Sequence, residues 1–111
     1  MKERDVVLMA IEQADGLRKN RPVLLLREMP KYGDFLSCGI SSKMSQYIPK
    51  FDELIQMDDL DFSDSGLNKS SVVRLSFLAI ARRPSVIGRL GRISPERHQR
   101  LLFNLSNYLR S

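Results

Sequence analysis

Two arginines and two serines offer the clearest chemistry in this chain. Arg21 stands immediately before Pro22, where the basic run "GLRKNRP" gives way to the aliphatic "VLLL". Arg74 and Ser76, two residues apart, interrupt the otherwise apolar run "SVVRLSFLAIA". Ser41 closes a third run, "FLSCGIS", with Lys43 just beyond it, while Arg18 and Lys19 precede Arg21. Guanidinium and hydroxyl groups fixed on one rim stabilise a phosphate whose negative charge grows in a transition state. A guanidinium stays charged at neutral pH, so its natural part is charge stabilisation rather than proton transfer. The same residues also read as ordinary solvated charges, and their spacing alone leaves both readings open.

Other chemistries find few residues here. His98 is the single histidine and Cys38 the single cysteine, so no zinc set is legible and no metal is expected. Neither a Ser/His/Asp set nor a glycine-rich phosphate loop of nucleotide-binding type is present, and no cofactor is expected. Cys38 falls on the inward side of its run and reads as a small core filler. His98, just before Leu101 and Leu102, reads as a packing or surface residue.

The elements that must position the arginines and serines are short strands. At 111 residues the chain is expected to be one domain, 1–111, with a single modest core. Strands are predicted over Asp5–Ile11, Pro22–Arg27, Phe35–Ser41, Ser71–Ala81 and Val86–Ile93, with a further short one within Phe51–Ile55. "EQADGLRKN" reads as an exposed loop around an Asp-Gly turn. Two-residue alternation in the third strand puts Leu36, Cys38 and Ile40 inward and the small set Ser37, Gly39 and Ser41 outward, leaving room for something to approach the backbone. In the strand of Arg74, strict alternation places Val72, Arg74, Ser76 and Leu78 on one face and Val73, Leu75, Phe77 and Ala79 on the other. Ser94, Pro95 and Glu96 are an N-cap, a first helical position and a first-turn acid. Leu101, Leu102, Leu105, Tyr108 and Leu109 then follow as one apolar stripe. The class is therefore mainly β with a C-terminal α-helix, as a small, strongly bent sheet or barrel.

Charge is distributed unevenly. The net +5 divides into +3 over residues 1–50, −6 over 51–65 and +8 over 66–111. Such asymmetry suggests a polyanionic partner such as nucleic acid, or an acidic protein. The acidic stretch 51–65 reads either as a solvated loop or as a screen beside a nucleic-acid groove. No apolar run is long enough to span a bilayer and no signal peptide is read. With one cysteine, the simplest expectation is a cytoplasmic protein without membrane attachment.

Taken in order, "RPVLLL", "CGISSK", "SGLNKSSVVRL" and "GRLGRIS" before a terminal helix resemble the MazF/PemK family of toxins from bacterial toxin–antitoxin pairs. The resemblance covers nearly the whole chain. It implies an SH3-like small barrel, a homodimer, and metal-independent cleavage of single-stranded mRNA at short sequences. In that chemistry a ribose 2′-hydroxyl attacks the adjacent phosphorus and leaves a 2′,3′-cyclic phosphate. A cognate antitoxin with an acidic, flexible tail would silence the activity. Residue by residue, the resemblance assigns catalytic roles to Arg21, Ser41 and Arg74. Arg18, Lys19, Lys43 and Ser76 are the accompanying RNA-binding candidates. Some relatives carry an Asp two residues after the last arginine, where this chain has Ser76, so the proton acceptor stays open. The alternative expectation is a non-catalytic toxin or degenerate member of the same barrel, binding gyrase, RNA or antitoxin without cutting.

Overall fold

In the computed structural model, which describes residues 1–111, the apolar and β-branched runs form six strands. They are β1 (Asp5–Glu12), β2 (Arg18–Glu28), β3 (Phe35–Ser41), β4 (Glu53–Ile55), β5 (Ser71–Ala81) and β6 (Val86–Arg92). All pair antiparallel in one sheet of order β4-β5-β3-β2-β1-β6, curled into a half-barrel. The single turn α1 (Phe62–Ser65) follows β4 yet packs against β6, so it reaches from one end of the sheet order to the other. Gly66 ends that turn at φ 74°, where a Cβ would lie 2.1 Å from the Leu90 carbonyl oxygen. Only glycine allows both the conformation and the approach.

Helix α2 (Pro95–Arg110) begins where the capping residues predict, with the Ser94 hydroxyl accepting from the Arg97 amide at 3.2 Å. It buries Leu101 and Leu105, whereas Tyr108 and Leu109, placed in the same stripe by spacing, stay largely exposed. His98 is buried beneath the helix, its Nε2 2.7 Å from the Leu26 carbonyl oxygen, which is a packing position. No helix is long and apolar enough to cross a membrane.

The sheet is filled on both faces, and this explains the unbroken "VLLL". Leu24 and Leu26 join Cys38, Ile40, Val73, Leu75 and the helix leucines in one core. Val23 and Leu25 point the other way and meet Val7, Met9, Phe35 and Ala81. A strand covered on both sides has no polar face to alternate with. Ser37, expected outward, is instead buried against that second core and donates to the Ala79 carbonyl at 2.9 Å. Burial, with the negative charge of Asp52 adding to it, pushes the Cys38 thiol up, which suits an unreactive core residue.

Two further expectations are corrected. The loop after β1 is only a tight turn around Gln13–Leu17, closed by the Leu17 amide on Asp15 Oδ1 at 3.0 Å. Arg18–Asn20 already belong to β2, so Arg21 lies within that strand, opposite Met9 of β1, rather than at its start. The acidic stretch is more than a solvated loop, because most of its acids have structural partners. Asp61 grips the buried Arg97 with both oxygens, at 2.9 Å from Nε and 3.0 Å from Nη2, while Asp59 and Glu53 bind the same guanidinium at 3.0 and 3.1 Å. Partial burial alone would raise the Asp61 carboxyl, but hydrogen bonds from Arg97 and the Ser94 amide outweigh it and hold it at about 2. Four of its six acids thus hold Arg97 or accept from backbone amides (Asp52, Glu53, Asp59 and Asp61), while Asp58 and Asp64 stay exposed.

Candidate functional site

The site begins with a backbone donor that proline lacks. The β2–β3 ladder ends at the pair Val23↔Gly39, and Pro22, next in line, has no N–H to extend it. On its other side β3 stays paired with β5 as far as Ser41↔Val72. Where β2 parts from β3, a cleft of about 260 Å³ opens. By alternation from Val23 and Gly39 it lies on the face of the second core, opposite α2.

Several elements supply its walls, with Ile11 near the end of β1 and Gln13 beyond it completing the lining. Arg21 comes from β2, Ser41 and the following Lys43 from the end of β3, Gln46 from a 3₁₀ turn at Met44–Gln46, and Arg74 with Phe77 from β5. Three cations thus face one cleft that no carboxylate lines. Arg21 is exposed and donates from Nη2 to Gln13 Oε1 at 3.3 Å, a long bond that an anion easily displaces. The Ser41 oxygen accepts from the Lys43 amide at 3.1 Å, which fixes the hydroxyl while leaving its proton free to donate. Arg74, opposite Gly39, holds its guanidinium carbon 5.9 Å from the centroid of the Phe77 ring. Two buried polar atoms in these walls have no partner: Arg74 Nε and Gln46 Oε1.

A bulge in β5 rearranges the expected faces. Cys38 pairs with Leu78 but its neighbour Gly39 pairs with Arg74, so Leu75, Ser76 and Phe77 are looped out of the ladder. Phe77 thereby joins Arg74 in the cleft, and Leu78 moves to the face of Leu75. Ser76, placed beside Arg74 by strict alternation, instead borders an apolar groove with Leu105 and Tyr108 of α2. Its assignment to the same rim is corrected. The buried Asp52 stabilises this bulge: Oδ1 accepts from the Leu75 amide at 3.0 Å, in place of a strand partner, and Oδ2 from the Ile48 amide at 2.9 Å. One carboxyl group therefore ties the bulge to the segment just after Gln46.

Of the sequence candidates, Arg21, Ser41, Lys43 and Arg74 come together. Arg18 and Lys19 do not line the cleft; they are exposed on the β1–β2 ribbon, opposite Glu12 and Ile11. Sequence reasoning missed Gln46, Phe77 and Asp52. The one available signal was Gly39, flanked by core residues. A Cβ there would lie 3.2 Å from Phe77 Cδ1, so the ring rests on backbone left bare by glycine. No family model and no curated protein matches the chain.

Proposed function

We propose that this chain is an endoribonuclease toxin of the MazF/PemK type, an SH3-like small barrel that cuts single-stranded mRNA without a metal. The observation that carries the reading is the convergence of Arg21, Ser41, Lys43 and Arg74 on one cleft free of carboxylates. In the reaction the ribose 2′-oxygen forms a bond to phosphorus while the bond from phosphorus to the 5′-oxygen breaks. The 2′-hydroxyl proton passes to water, and the departing 5′-oxygen takes a proton from water, because no imidazole or carboxylate lines the cleft. Arg21 and Arg74 meet the equatorial oxygens as their charge rises, Ser41 donates beside them, and Lys43 holds the neighbouring phosphate. Such preorganised donors act most strongly in the five-coordinate transition state. Homodimerisation and silencing by a cognate antitoxin belong to the same proposal.

The test is incubation of the purified protein with a long single-stranded RNA in the presence of chelator. Discrete fragments ending in 2′,3′-cyclic phosphate are expected, and Arg21→Ala should slow their appearance by about 10²–10³ while leaving thermal unfolding unchanged. An all-deoxy version of the cut sequence should bind yet stay intact, since the nucleophile is missing. Cleavage of that DNA, or full activity of Arg21→Ala, would overturn the mechanism. The lining also favours a second reading, an RNA-binding module that does not cut, because no side chain in it is a ready proton acceptor. Binding without fragments would select that reading.

A further inference from the structure

We infer that Gln46, Arg74 and Phe77 form a nucleobase-reading pocket beside the phosphate rim, selecting bases that carry an exocyclic amine and disfavouring uracil. The inference rests on the proposal that the cleft takes single-stranded RNA, and it names what that RNA must present.

The two orphaned atoms differ in kind, and this points beyond phosphate. Arg74 Nε is a donor, which a phosphate oxygen would satisfy. Gln46 Oε1 is an acceptor, and an ionised phosphate has no proton to give it. Both residues line one cleft, so a ligand that satisfies the two atoms must carry a donor as well as an acceptor. Nucleobase edges do this, and glutamine is a side chain that reads adenine through such a pair. Phe77 supplies the flat surface: the residue is 41% exposed, and its ring rests over Gly39 where no side chain intervenes. Bases stack on such rings in single-stranded nucleic-acid sites. The guanidinium of Arg74 near the same ring adds a planar cation against the stacked base.

Burial of the acceptor sets the selectivity. Gln46 Oε1 is withdrawn from solvent, so the donor that reaches it must project from its ring. The amines of adenine, cytosine and guanine project in this way. The only ring donor of uracil lies between two carbonyl oxygens, and these would meet the glutamine oxygen first. Each amine-bearing base also has a ring nitrogen or carbonyl beside its amine for Arg74 Nε.

The experiment uses the full chain and a single-stranded RNA library randomised over a short window, sequencing both the ends produced and the fraction bound. Uracil should be depleted at one position for the wild type. Gln46→Leu should remove that depletion, shifting the uracil ratio there by about 5- to 150-fold, the range expected for one good base contact. Gln46→Glu keeps an acceptor in place and should retain the depletion, which separates base reading from a fold defect. Phe77→Ala should weaken binding of every sequence, and Phe77→Tyr should restore it. A depletion unchanged in Gln46→Leu, or lost equally in Gln46→Glu, overturns the base pocket and leaves the phosphate rim standing. A wild-type protein that neither binds nor cuts any member of the library overturns both readings.

Discussion

Asp52 lies outside the cleft, yet replacing it should damage two of the cleft's walls. Its side chain is 2% exposed and accepts two backbone N–H groups, from Leu75 in the β5 bulge and from Ile48 just after the Gln46 turn. Asp52→Asn is nearly isosteric, but its amide nitrogen cannot accept, so one of those N–H groups faces a donor. A hydrogen bond to a charged group contributes roughly 1.5–3 kcal/mol, and loss of one of the two sets the expected cost of the variant. At roughly 4 °C per kcal/mol for a domain of about this size, the melting temperature should fall by about 6–12 °C. Asp52→Ala leaves both amides without a partner and should cost roughly 3–6 kcal/mol, a large part of the roughly 5–15 kcal/mol that holds a small domain folded. Urea unfolding at matched slope measures the cost, and amide exchange at Ile48 and Leu75 locates it. Folded Asp52→Asn should also bind RNA more weakly, because Phe77 and Gln46 lose their common tie. An Asp52→Asn protein with unaltered urea midpoint and unaltered protection at both amides would refute this account of the bulge.

The remaining expectations concern the acidic stretch and the displaced serine. Arg97→Met strips the cation from Asp61, Asp59 and Glu53 together and should destabilise by about 3–5 kcal/mol, measured by denaturant unfolding at neutral pH. The Asp61 carboxyl is held at about 2 against an ordinary 3.8, so its contribution of about 2 kcal/mol is complete above pH 4–5 and fades as pH falls toward 2. The Asp5 carboxyl is also held low: burial opposes this, but the Lys2 amide and Arg89 prevail, so its contribution fades in the same direction. Acid titration of stability should therefore show a steep loss below pH 4 that Asp61→Asn makes shallower. Ser76→Ala should leave RNA binding and cleavage unchanged, because the residue borders the helix groove; a tenfold loss of either would return Ser76 to the rim.

Local patterns carried much of the fold because they report on short-range physics. The limits of β3 and β5 follow from β-branched and alternating runs, and the start of α2 follows from three adjacent capping residues. Arg21, Ser41 and Arg74 were legible as candidates because polar groups are conspicuous beside apolar strands. Their convergence was not, since it depends on Pro22 ending one ladder while β5 continues another. The start of β2 reads as loop in the sequence because Arg18–Asn20 are held by cross-strand backbone bonds, and polar side chains on an exposed hairpin leave no apolar signature.

By itself the sequence determined a mainly β chain closed by one amphipathic helix, the inward place of Cys38, and a supply of cations suited to a polyanion. Which cations share a cleft, which face Ser76 and Phe77 take, and what the acids of 51–65 bind were decided only by tertiary structure. The reason is physical: a bulge reverses the alternation of every residue beyond it. It forms where the side chain of Asp52, 23 positions away, replaces a strand partner, and no local pattern encodes that distance.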